Sequence, residues 1–134
     1  TGGLRIVTGG GIEINHCQIG GGDTVNSANG FEQSSTNNFN DCIVEDCVIV
    51  GTSYGAIVNA YLANATQFKD NLIYGGTIGV DDNSTESNIL GNAWYINNRV
   101  YSASDCFEFT QNGTLRAIGN QANQAGTTVW EDNI

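Results

Sequence analysis

One eight-residue phrase recurs five times along this chain, and it restricts the fold more tightly than any composition figure. "IEINHCQI" begins at Ile12, "CIVEDCVI" at Cys42, "TQFKDNLI" at Thr66, "AWYINNRV" at Ala93 and "LRAIGNQA" at Leu115. The sixth residue of each is Cys17, Cys47, Asn71, Asn98 or Asn120, at intervals of 30, 24, 27 and 22 residues (47−17, 71−47, 98−71, 120−98). Uneven spacing around a phrase of constant length means loops of variable size on a fixed cross-section. The third position runs Ile14, Val44, Phe68, Tyr95, Ala117, and the eighth Ile19, Ile49, Ile73, Val100, Ala122. Mostly polar residues lie between them, with the period of two that a half-buried strand requires.

A second short strand is expected eight residues past the sixth position: "GAIV" from Gly55, "GVDD" from Gly79, "CFEF" from Cys106 and "TVWE" from Thr128. The first coil carries its equivalent, "GFEQ" from Gly30, after a five-residue insertion around "IGGGDTVNS". Helices do not fit between strands this closely spaced, and no Asn-Gly hairpin turn joins adjacent phrases. Eighteen glycines, no proline and only 13% charged residues agree with a turn-rich β protein. Stacked coils satisfy every constraint, each bonding its backbone to the next at ~4.8 Å. Equivalent side chains then lie over one another. Asn71, Asn98 and Asn120 are expected to form an amide ladder, which Cys17 and Cys47 continue as small, softly polar fillers. No capping helix is legible and the chain opens without Met, so residues 1–134 are read as one segment of a longer chain.

This rhythm of coil, Asn turn and glycine resembles the right-handed parallel β-helix of the pectin-lyase-like superfamily over residues 12 to 134. The group includes polysaccharide lyases, polygalacturonase-type hydrolases, epimerases and bacteriophage tailspikes. The resemblance implies an all-β, right-handed parallel β-helix of about five coils with a polysaccharide as partner. The chain is closest in character to the tailspikes, which implies a virion-tail or extracellular location and a homotrimer about the helix axis. Outward columns of apolar residues, Ile43 with Trp94, Ile96 with Ile118 and Val48 with Leu72, are read as surface covered in such an assembly.

The formal charge of −10, with four basic side chains, argues against nucleic acid or an anionic membrane surface as partner. No apolar run approaches the ~20 residues of a membrane-spanning helix. The four cysteines show no CxxC spacing, which speaks against zinc, and all four are read as free thiols, Cys42 and Cys106 facing inward.

Chemistry is sought in the outward column ten places beyond the sixth position, allowing for the insertion: Glu32, Ile57, Asp81, Glu108 and Trp130. Asp81 and Glu108 would then lie about one strand spacing apart. That suits a retaining glycosidase with Glu108 as acid and Asp81 as nucleophile or base. Asp82 would supply a third acid, Trp130 a stacking surface for a sugar and Glu32 a further contact. Arg99 lies on the coil of Glu108, around the bend, as a substrate-binding candidate. The paired aspartates look like those of polygalacturonases, but that family's NTD, GHG and RIK motifs are missing here. Two other readings therefore stay open: a solvated acidic face on a structural or adhesive module, or a lyase holding calcium at Asp81, Asp82 and Glu108. His16 is read as a surface partner of Asp46, and Lys69 as a solvated coil residue.

Overall fold

The computed structural model describes residues 3–6, 11–20, 29–40, 42–64, 66–82, 92–109, 114–124 and 128–132. Strands β1 (Leu4–Ile6), β2 (Glu13–Asn15) and β3 (Gln18–Gly20) open the stack. Coils follow as β4 (Asn29–Asn40), β5 (Ile43–Glu45) and β6 (Val48–Gly51), then β7 (Tyr54–Asn64), β8 (Thr66–Lys69) and β9 (Leu72–Gly75). Next come β10 (Ile78–Asp82), β11 (Asn92–Ile96) and β12 (Arg99–Ser102), and last β13 (Asp105–Phe109), β14 (Thr114–Ile118), β15 (Gln121–Gln124) and β16 (Thr128–Asp132). Each strand pairs with its counterpart one coil away, always parallel, giving three sheets: β1-β4-β7-β10-β13-β16, β2-β5-β8-β11-β14 and β3-β6-β9-β12-β15. We call these sheets A, B and C. The chain is a parallel β-helix of about five coils, as the repeat requires.

The B-to-C corner shows why the phrase never changes length. His16, Asp46, Asp70, Asn97 and Gly119, the fifth residue of each phrase, all have φ between 50° and 68°. That left-handed conformation costs most L-residues roughly 1–2 kcal/mol, and Asn, Asp, His and Gly tolerate it best. The ladder residue follows at once. Asn71 Nδ2 donates to Asn98 Oδ1 at 3.0 Å and to the Val44 carbonyl at 2.8 Å, while Asn98 Nδ2 donates to Asn120 Oδ1 at 3.0 Å and to the Phe68 carbonyl at 2.9 Å. Asn98 Oδ1 also accepts the Asn71 backbone N–H at 3.1 Å. Both hydrogens of each amide are therefore used.

Cys47 imitates this arrangement. Its backbone N–H donates to Asn71 Oδ1 at 3.0 Å, and its thiol lies 3.1 Å from the Glu45 carbonyl and 3.7 Å from the Ile14 carbonyl, the latter the counterpart of the Val44 carbonyl that Asn71 bonds. Because a thiol is a weak donor, Cys47→Asn is expected to extend the ladder and raise stability by about 1 kcal/mol. An unchanged urea midpoint in that variant would show that the thiol already fills the role.

The interior is lined by Ile49, Ile73 and Val100 from sheet C, Val44, Phe68 and Tyr95 from sheet B, and Phe31, Ala56, Val80 and Phe107 from sheet A, all buried. Bulk alternates between facing walls: Ala56 precedes Phe68 and Val80 precedes Tyr95, whereas Phe31 precedes Val44. Phe68 stacks on Tyr95 with centroids 5.4 Å apart and meets Phe31 edge-on, also at 5.4 Å. Gln33 and the Thr66 hydroxyl are buried without a protein partner.

All four cysteines are free; Cys42, Cys47 and Cys106 are buried and Cys17 is exposed. Burial pushes the Cys42 thiol up to about 11 from an ordinary 9.0. Between those values the unfolded chain releases a proton that the folded chain keeps, so stability is unaffected below pH 9 and falls above it. The loss is expected to reach roughly 2–3 kcal/mol by pH 11. Urea unfolding followed from pH 8 to 11 checks this, and Cys42→Ala should flatten the slope. The Tyr95 phenol, raised by burial and then by the Asp82 carboxylate beside it, adds to the same alkaline loss only above its ordinary value of 10.0.

Candidate functional site

Sheet A carries the acids. Along it the register runs Arg5, Glu32, Ile57, Asp81, Glu108, Glu131. Asp81 and Glu108 are direct register partners, which places their Cα atoms one interstrand spacing, ~4.8 Å, apart. Asp81 is buried and Glu108 half-buried. Glu32 is engaged one coil from Arg5, accepting from its Nε at 3.2 Å and from Asn29 Nδ2 at 3.0 Å.

Two expectations for this strip are corrected. Trp130 does not continue the acid column: it is the register partner of Phe107, and Glu131 stands opposite Glu108. The last coil places β16 one residue later after its ladder position than the others do, and a slip of one residue exchanges the two faces of a strand. The Trp130 side chain lies outside the described residues. Asp82 is not a third acid on the strip either. It follows Asp81, so strand alternation turns it inward, where it is fully buried and accepts the Tyr95 hydroxyl at 2.7 Å. Asp82 therefore turns away from Asp81 and Glu108, and the three are not gathered as the calcium alternative would need. Among the described residues no cluster of three or more His, Cys, Asp or Glu side chains is arranged to hold a metal ion.

The remaining cations lie away from the strip. Arg99 begins β12, in register with Leu72 and Gln121 on sheet C, so it does not join the acids. Lys69, on sheet B, lies 3.5 Å from Glu45 and 3.6 Å from Asp70, and both acids raise its pKa, the Glu45 hydrogen bond most. His16 Nε2 stands 3.7 Å from Asp46 Oδ2, both exposed, as expected of a surface contact. The three apolar columns are also in register as expected: Ile43 and Trp94 with Gln67 between them, Ile96 beside Ile118, and Val48 beside Leu72.

A different feature offers an open binding surface. Tyr74 and Tyr101 are register partners on the outer face of sheet C, with rings stacked 18° from parallel and centroids 5.0 Å apart. They line a groove of about 730 Å³, which falls within the range of ligand sites. Ser102, Ala103 and Asn123 complete one side. The backbone of Gly51, Gly75 and Gly76 forms the rest. A Cβ on Gly51 or Gly75 would strike the carbonyl of Tyr54 or Ile78, so only glycine lets the chain turn this sharply from sheet C into sheet A. The tyrosine pair escaped the sequence reading although its signal was present. Tyr74 and Tyr101 are 27 residues apart, the same interval as Asn71 and Asn98.

Fold and groove together define a parallel β-helix protein with a solvent-facing aromatic groove. The chain matches no protein-family model, no curated protein and no solved structure.

Proposed function

We propose that this chain is a polysaccharide-binding β-helix module of a surface protein, such as a phage tailspike or another extracellular protein. The observation that carries the reading is the stacked Tyr74–Tyr101 pair in an open groove. Aromatic rings offer apolar surface to the C–H faces of sugars, while tyrosine and serine hydroxyls and an asparagine amide bond to sugar hydroxyls. Affinity electrophoresis of the full chain through gels containing soluble polysaccharides tests it. Retardation is expected, and unretarded migration in every glycan would end the proposal. The outward apolar columns support side-by-side assembly as a trimer, for which light scattering should return three times the chain mass.

The register pairing of Asp81 with Glu108 favours a second reading, hydrolysis of the bound glycan. Glu108 would protonate the leaving oxygen and Asp81 would act as nucleophile or base. On this reading Asp81→Asn and Glu108→Gln each cut the release of reducing ends at least a hundredfold (roughly, for loss of general acid–base catalysis). Undiminished release by both variants would take the chemistry away from this pair, and binding without any release by the natural chain would leave a non-catalytic binding or adhesive module. Burial of Asp81 favours that module, because a nucleophile must reach its substrate.

A further inference from the structure

We infer that the groove takes a neutral glycan rather than a uronic-acid polymer, an inference that rests on the binding reading above. None of the residues lining the groove is charged: tyrosine, serine, asparagine, alanine and glycine account for all of it. A uronate chain would bring one carboxylate per sugar to a lining with no cation to receive it. It would also approach a protein of net charge −10, whose summed field repels anions before any contact forms. Arg99, two residues before Tyr101 on the outer side of β12, is the one cation on that face among the described residues. A single exposed cation is screened by salt and does not offset that field. Neutral sugars meet no such opposition, and their hydroxyls match the groove's hydroxyls and amide.

The groove also prescribes the shape of its ligand. Its lining reaches from Gly51 on β6, through Tyr74 on β9 and Tyr101 on β12, to Asn123 on β15. That is three interstrand spacings, roughly 14 Å along the helix axis. The site therefore fits several linked sugars lying parallel to the axis, each coil supplying one step of the surface, rather than a single monosaccharide.

The test is a printed array of neutral hexose, N-acetylhexosamine and uronic-acid oligosaccharides, followed by calorimetry on the hits with the full chain. Neutral oligosaccharides are expected to bind, with an affinity that holds from about 50 to about 500 mM salt. Tyr74→Ala should weaken them roughly tenfold without lowering the melting temperature. Ala103→Lys, at an exposed lining position, should add salt-dependent uronate binding that the natural chain lacks. Uronic-acid oligosaccharides binding the natural chain more tightly than neutral ones would overturn the inference and leave the glycan reading standing. So would an Ala103→Lys variant with no gained uronate affinity. Failure of the folded protein to bind any oligosaccharide would remove the glycan reading itself.

Discussion

Asn98→Ala is expected to lower stability by about 3 kcal/mol or more, a large fraction of what a domain of this size possesses. The residue is completely buried, and its amide holds four partners at once. Truncation strands Asn71 Nδ2, the Asn71 backbone N–H and the Phe68 carbonyl, while Asn120 Oδ1 keeps the Asn98 backbone N–H at 2.9 Å. Each group stranded away from water costs roughly 1–3 kcal/mol, and water cannot enter a ladder whose rungs are one strand spacing apart. Asn98→Asp offers a sharper comparison. It keeps the shape and the acceptor but turns an oxygen toward the Phe68 carbonyl, so it too should unfold early in urea. A loss below about 1 kcal/mol in the alanine variant would mean that backbone pairing alone holds the corner.

Phe68→Ala is expected to cost about 3–5 kcal/mol, because it empties the centre of the aromatic column. Phe68 is fully buried between the stacked Tyr95 ring and the edge-on Phe31 ring, and its sheet A neighbour within the coil is only Ala56. No facing side chain is large enough to close the void. Phe68→Leu, which keeps most of the volume, should lose far less, and equal losses in the two variants would refute the cavity account. Calorimetric unfolding of both proteins makes the comparison.

The sequence showed the coils plainly because a solenoid writes its cross-section into an interval. Asn71, Asn98 and Asn120 stack where their spacing required, and the apolar third and eighth positions pack in the interior except Ala117, which is exposed on the last coil. The same spacing could have revealed more. His16, Asp46, Asp70, Asn97 and Gly119 form a column of the residue types that accept positive φ, a backbone demand visible only when they are compared vertically. Asp82 and Trp130 were harder, for a different reason. Register in a strand is decided by a single residue, so one extra position before β16 puts Trp130 opposite Phe107 instead of Glu108. Asp82 reads as a second surface acid until Tyr95, on another sheet, is known to bond it. The acid pair Asp81 and Glu108 was legible as neighbours, but the burial of Asp81 was not.

The corner that follows sheet B takes one conformation in every coil, two residues from the end of one strand to the start of the next. The corner between sheets A and B varies in length by comparison. It spans a single position between Asn64 and Thr66, but nine between Asp82 and Asn92. Length there has no bearing on the stacking of the coils on either side. Foreign peptides grafted at that corner should leave the cylinder intact, and a chain built this way can diversify its surface without renegotiating its core.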